Sequence, residues 1–315
     1  MADGQLPLFS APPEPSPRPE PEPQLDPRST LPRAIDRFHE HMRRIDFAEN
    51  TIKAFLGDLS LLERYLGCDY AIGAIGTREL RAFMDHLRHG RGVPCTPKSY
   101  SRRLTTLKVF FGWLAAAGVL PQDPAAPLVH QPAASPLPAV LYDEQVERAL
   151  AASRALMDDA KKPDPRPHLL LCLLLQTAIK KSECLALRVG HFDLSDPAAP
   201  CLYVRYPDPR HRHKERKIAL QPSFPALLQR YLQVYRPRDV LFPCTGRNLE
   251  YVLHHVARLA DLPGGLSFEM LRWTSALRDY RAAMDPERLR RKLGLSQMAW
   301  EDTLANLQAL AARPL

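Results

Sequence analysis

The stretch HQPAASPLPAV, residues 130 to 140, carries three prolines and no charged side chain. Proline removes a backbone donor and pushes the residue before it out of the helical region, so no helix runs through such a segment. A second interruption opens the chain, where residues 1 to 30 hold nine prolines. The foldable material therefore lies in two blocks, 31 to 129 and 141 to 315. Each is long enough for a core of its own. Residues 1 to 30 are expected to form a disordered or polyproline-like tail, and 130 to 140 an interdomain linker.

Both blocks show helical periodicity. In the first, Ile35, Phe38 and Met42 share one stripe, and Ile52, Phe55, Leu59, Leu62 and Leu66 share another. TRELRAFMDHLRHG predicts a third helix that ends at a glycine. A fourth, from about Pro97 to Ala117, buries Leu104, Leu107, Phe111 and Leu114 while showing Lys98, Arg102, Arg103 and Lys108. That makes a small helical bundle. In the second block, helices are expected at 143 to 157, 166 to 188, 222 to 235, 247 to 260, 267 to 283, 286 to 294 and 298 to 311. A hairpin interrupts them: CLYVRY and KERKIAL read as strands joined by PDPRHRH. The fold class is mainly α, in two domains, the second with a small antiparallel sheet.

Several classes are excluded at this stage. No apolar run approaches the roughly 20 residues that cross a bilayer. The first residues lack a basic-then-apolar signal pattern, so a cytoplasmic protein is expected. Six scattered cysteines without a CxxC pair argue against a disulfide frame or a zinc site, and neither metal nor cofactor is expected. The net charge is +8, but residues 1 to 30 hold two arginines against five acids, so the remainder carries +11. Such a basic surface points to nucleic acid.

One local pattern demands a ligand. After the apolar run LLLCLLL the sequence reads QTAIKKSECLALR, taken here as the continuation of a buried helix. A buried lysine is costly unless an anion faces it. Lys180 is therefore expected to look into a cleft, and Lys181 into solvent.

The order of several strings resembles the tyrosine recombinase (phage integrase, Xer-like) family. AENTIKAFLGDLSLLERYL is similar to the family's core-binding "sENTlraYrrDLrrFl" segment, and TPKSYSRRLTTLKVFFGWL to its "s..T..RrLsaLr.Ff.wL" helix. QTAIKKSECLALRVGHFDL resembles "yaTGLRisEllaLrwsDid", HKERKIAL the "nKeR.vpL" strand, and VLFP the "LFp" turn. SFEMLRWTSA resembles "sPHdLRHtfA", and RRKLGLSQMAWEDT "iq.lLGHssi.tT". The resemblance spans residues 30 to 305. It implies a SAM-like core-binding domain, an integrase-type catalytic-fold domain, and a clamp on double-stranded DNA.

The family's chemistry is metal-free phosphoryl transfer. A tyrosine attacks a DNA phosphate, arginines and histidines hold the charged oxygens, and a lysine protonates the leaving oxygen. The resemblance places these roles on Lys180, His211, Glu269, Arg272, Leu295 and Leu304, and among them only Arg272 keeps the family's residue type. No tyrosine follows Tyr280. A Lys180–Glu269 ion pair is expected to fill the vacated pocket. The implied function is DNA binding by a degenerate recombinase, an accessory or architectural factor in DNA recombination or integration. Its DNA contacts are expected from Lys98, Arg102, Arg103, Lys108, Lys180, Arg210, Arg212, Lys214 and Arg272.

Two alternatives stay open. One is a divergent active recombinase using Tyr280 or Thr303. The other is an interaction module. Gln5, Leu6, Leu8 and Phe9 of QLPLF resemble the motif that docks bacterial proteins on the DNA sliding clamp. Leu304, Leu307 and Leu310 form an apolar stripe expected to seat on an active recombinase or a second copy.

Overall fold

Pro32 in the first turn starts helix α1 (Leu31–Arg44), whose stripe Leu31, Ile35, Phe38 and Met42 is buried. The computed structural model describes residues 25–93, 95–129 and 136–313; the QLPLF string lies outside them. The chain divides into two compact units, one ending at Ser135 and the other beginning at Pro136.

In the first unit, α2 (Glu49–Leu66), α3 (Thr77–Asp85) and α4 (Pro97–Ala116) join α1. The Thr96 hydroxyl accepts the Ser99 N–H at 3.2 Å and caps α4. Phe38 meets Phe110 edge-on at 5.2 Å, and Phe110 meets Phe111 at 5.0 Å, so α1 and α4 lock through aromatic rings. Residues 25–30, expected to belong to the Pro-rich tail, are part of this unit. The Ser29 carbonyl accepts the Ile72 N–H at 3.0 Å, and the Pro27 carbonyl accepts the Gly73 N–H at 2.8 Å.

The second unit contains α5 (Asp143–Met157), α6 (Arg166–Thr177) and α7 (Lys181–Leu185). Strands β1 (Phe192–Asp193), β2 (Cys201–Val204) and β3 (Arg216–Ala219) form an antiparallel sheet in that order. Leu202 pairs with Phe192 on one side and Ile218 on the other. Five helices follow: α8 (Phe224–Tyr235), α9 (Gly246–Leu259), α10 (Phe268–Arg281), α11 (Pro286–Leu293) and α12 (Gln297–Ala311). Leu169, Leu170, Leu171, Leu173 and Leu174 of α6 are all buried, so this helix is the axis of the core. The described residues are mostly helical, and no helix among them is long and apolar enough to cross a membrane.

Three expectations need correction here. The helix expected over 166 to 188 breaks after Thr177: Ala178 is left-handed (φ 52°) and fully buried, and Lys180 becomes the N-cap of α7. The break holds because its loosened backbone groups find partners. Arg272 donates to the Ala178 carbonyl, and the Glu183 carboxylate accepts the Lys180 N–H at 2.8 Å. The connection between the hairpin strands is also more ordered than a turn, since Pro209–Lys214 forms a 3-10 segment capped by Asp208. Sequence reading also missed β1, a strand of two residues.

The third correction concerns the last helix. Leu307 and Leu310 pack within their own unit, together with Trp300 and with Ala276, Leu277, Leu289 and Leu293 of α10 and α11. Leu304 is partly buried against the same cluster. Helices α10 and α11 present an apolar face, and α12 is its cover, so the stripe is not left open for a second molecule. Leu307→Ala should therefore destabilise the unit by about 2–5 kcal/mol in urea unfolding. A change under roughly 1 kcal/mol would mean the contact is not made.

Candidate nucleic-acid interface

The site is built around one buried carboxylate. Glu183, the third residue of α7, has a side chain 1% exposed and receives the Arg216 guanidinium as a fork, at 2.9 Å on Oε1 and 2.8 Å on Oε2. The Tyr206 hydroxyl also donates to Oε1. Burial alone would push this carboxyl up; the Arg216 bonds and charge, with Tyr206 and the Lys180 N–H, hold it at about 2. Arg216 itself reaches across to the end of α11, donating through Nε to the Lys292 carbonyl at 2.7 Å. Burial raises the Tyr206 phenol to about 12, and its bond to Glu183 adds to the rise.

Around this ion pair stand further cations. Lys180 is half-buried, and burial pulls its pKa down; Glu183 opposes that shift while Arg272, Arg216 and Lys214 add to it. Arg272, held down to about 10 by burial first, donates to the carbonyls of Ala178 and Leu293. Lys180, Lys214, Arg216 and Arg272 thus share one electrostatic neighbourhood, in which Glu183 is the carboxylate felt by both Lys180 and Arg272.

A cavity of about 690 Å³ opens beside β3 and α11, lined by His213, Lys214, Lys217, Arg288, Arg291 and Lys292 among others. Among the described residues, Glu215 and Asp285 are the only acids in its lining.

The structure relocates several expected site residues. Glu269 is exposed in the first turn of α10, where the helix dipole favours an acid, and among the described residues it makes no ion pair with Lys180. The acid beside Lys180 is instead Glu183, one turn on, which accepts the Lys180 backbone N–H and forms its ion pair with Arg216. Arg272 likewise does not pair with Glu269. His211 lies on the 3-10 segment with Nδ1 3.7 Å from Asp208 Oδ2, its ring 5.7 Å from that of Tyr206. Arg210 is engaged by Asp208 at 2.8 Å, whereas Arg212 is exposed. Leu295 is partly buried in the α10–α12 cluster, as is Tyr280, and the Leu295 carbonyl accepts from Arg290 at 2.8 Å.

In the first unit, Arg102 and Arg103 do not form the expected outward face. Both turn to Asp58, a carboxylate of α2 that is 4% exposed: Arg102 bonds it directly, and Arg103 Nε stands 3.5 Å from Oδ1. Thr106 donates to the same group at 3.0 Å. A buried acid of this kind must be compensated, and these arginines supply the charge. Lys98 remains exposed, and Lys108 lies along the surface with Nζ 3.4 Å from the Ala126 carbonyl.

Sequence reading overlooked Glu183, Tyr206 and Arg216, although Lys180 and Glu183 have the spacing of a helix cap and its returning carboxylate. It also overlooked the outer face of α9, where Arg247, Asn248, Tyr251, His254 and Arg258 are exposed. There Arg247 donates to the Tyr251 hydroxyl at 2.9 Å, an i,i+4 pair visible in GRNLEYVLHHVARL.

Comparison with known proteins gives these features a context. Residues 35–118 match the family described as phage integrase, N-terminal SAM-like domain. The tyrosine recombinase XerC of Mycobacterium leprae is 32% identical over 164 residues, covering 50% of this chain and 53% of that protein. XerC of Staphylococcus saprophyticus is 26% identical over 238 residues, covering 71% of this chain and 76% of its own length. The chain thus spans about half the length of the mycobacterial relative and more of the staphylococcal one. Among solved structures, the XerH site-specific recombinase bound to its palindromic difH substrate superposes with a TM-score of 0.70 at 16% identity, over 92% of this chain and 95% of that one. The Tn1549 transposon integrase in complex with transposon right end DNA gives 0.70 at 17%, over 88% and 94%. By sequence the chain is a homologue of the tyrosine recombinase XerC with a phage integrase SAM-like domain, and its fold is the one seen in solved tyrosine recombinases.

Proposed function

We propose that this protein binds double-stranded DNA as a catalytically degenerate tyrosine recombinase, holding a backbone phosphate without breaking it, and acts as an accessory or architectural factor in recombination or integration. The observation that carries this reading is the grouping of Lys180, Lys214, Arg216 and Arg272 in one neighbourhood, where Arg216 alone is ion-paired to Glu183 and Arg272 is spent on backbone carbonyls. Excess positive charge in a partly buried site is stabilised by an anion, and a phosphodiester supplies one. The cationic cavity beside β3 and the outer face of α9 extend the same character across the unit. XerH and the Tn1549 integrase, which share the fold, are bound to DNA in their structures.

Loss of cleavage is supported by the reacting positions. Leu304 has no atom able to attack phosphorus, and no tyrosine follows Tyr280 in the sequence. The hydroxyl of neighbouring Thr303 donates to the Ala299 carbonyl at 2.8 Å. Incubation with nicked suicide duplexes, followed by denaturing electrophoresis, should show no covalent adduct, while the same duplex is shifted under native conditions. A reproducible protein–DNA bond would overturn the reading of degeneracy; absence of any shift would overturn DNA binding.

One observation favours a second reading. Tyr206 places a hydroxyl inside the cationic cluster, bonded to Glu183. A divergent recombinase could use that oxygen as its nucleophile, forming a phosphotyrosine bond as one phosphorus–oxygen bond to the sugar breaks, with Glu183 taking the phenol proton and solvent protonating the departing sugar oxygen. The ion pair with Arg216 makes Glu183 a poor base, and the raised Tyr206 phenol is a weak nucleophile at neutral pH. A covalent adduct lost in Tyr206→Phe would establish this second reading instead.

A further inference from the structure

Beyond Asp85, helix α3 widens into a single π turn over His86–Gly90. Such turns are rare and concentrate at functional sites. This one brings the His86 ring to 4.8 Å from the Tyr65 ring, and Tyr65 lies 5.5 Å from Phe83. Gly90 is required for that placement, because a Cβ there would stand 2.3 Å from His86 Nδ1. The three rings line a surface slot of about 180 Å³ whose lining also includes Arg64 and Arg91 and, among the described residues, no carboxylate.

The dimensions and chemistry narrow the occupant. The slot is smaller than the roughly 300 Å³ at which pockets for drug-sized ligands begin, so it admits one planar ring system. Tyr65 is 37% exposed, which leaves a π surface open to a guest, while Phe83 behind it is buried. Arg64 and Arg91 are exposed at the slot. More positive charge lies on the turn and on the following helix: Arg88 stacks on Tyr100 at 3.9 Å, and Lys98 in the first turn of α4 is exposed. Aromatic faces that stack a base, beside guanidiniums that meet phosphate, are the recognition chemistry of a single-stranded nucleotide. An aromatic side chain of an acidic peptide would satisfy the rings, but the repeated positive charge along the turn matches the regular phosphates of a nucleic acid better.

We propose that this slot holds one unstacked base of single-stranded DNA, with Arg64 and Arg91 on the adjoining phosphates. A duplex cannot supply that base without opening, so the site is distinct from the duplex contacts proposed for the second unit and does not rest on them.

The test uses the full chain and two dye-labelled ligands of equal length and charge, a short oligodeoxythymidylate and a fully abasic phosphodiester strand, read by fluorescence anisotropy. The wild type should bind the base-bearing strand roughly tenfold tighter than the abasic one. Tyr65→Ala should remove that difference, Tyr65→Phe should retain it, and Gly90→Ala, which displaces His86, should reduce it. Equal binding of both strands by the wild type would overturn the proposal. So would an unchanged preference in Tyr65→Ala, or Tyr65-dependent binding of an acidic phenylalanine-containing peptide with no such dependence for the oligonucleotide. Duplex binding measured on the same variants should be unchanged, so a failure of the duplex reading shows up separately.

Discussion

Glu183→Ala is expected to destabilise the second unit by about 3–5 kcal/mol, because it strips the partner from a guanidinium that stays buried. Arg216 is 6% exposed, and its fork would face an empty space that water cannot fill freely. The same ion pair sets an acid limit. The Glu183 carboxyl sits at about 2 in the folded protein against an ordinary 4.5. A depressed carboxylate contributes stability that is fully present above its unfolded value and is lost as pH falls through the folded value. The difference corresponds to about 3 kcal/mol, lost progressively between about 4.5 and about 2. Urea unfolding across that range should show a falling midpoint in the wild type and a shallower fall in Glu183→Gln. Parallel curves for the two proteins would mean that Glu183 does not carry this pH dependence.

The second large effect concerns DNA. Replacing Arg212, Lys214 and Arg288 together with alanine should weaken duplex binding by roughly 10²–10³-fold near 0.1 M salt, and should flatten the log K against log salt slope by about 2.7, since each phosphate contact contributes about 0.9. Arg102→Ala with Arg103→Ala should behave differently. Those arginines neutralise Asp58, so the expected result is a less stable first unit with little change in salt slope. Salt titrations of both variants decide between the two surfaces. If the slope falls for the α4 pair and not for the cleft triple, the interface has been placed on the wrong unit.

Much of the helical frame was legible because its signals are local. The stripes Ile35–Phe38–Met42 and Leu104–Leu107–Phe111 need only the period of a helix, and Thr96 announces its cap in the residue itself. The misplaced features depend on contacts between distant positions. QTAIKKSE contains no glycine or proline, and α6 stops there because Arg272, 94 positions away, takes the Ala178 carbonyl. Arg102 reads as a surface cation until Asp58, 44 positions away, is brought beneath it. The stripe of α12 reads as unpartnered until α10 and α11 show the apolar face it covers. In the site, Lys180 drew notice through the cost of burying a charge, but that argument calls for an anion without saying which one. Glu269 was chosen over Glu183 by correspondence with a string, when helix-capping geometry favoured the nearer acid.

Arg272 joins the ends of two helices that lie far apart in the sequence. With one guanidinium on the carbonyl at the close of α6 and on the carbonyl at the close of α11, it acts as a tie-rod between separately built parts. Its presence is therefore a poor reporter of phosphoryl transfer, because the scaffold would need it after every reacting group had been exchanged. A lysine at this position would keep the charge but give up the flat two-ended span. Its cost would appear first as loosened backbone amides around Ala178 and Leu293 in hydrogen exchange, with the bound nucleic acid playing no part.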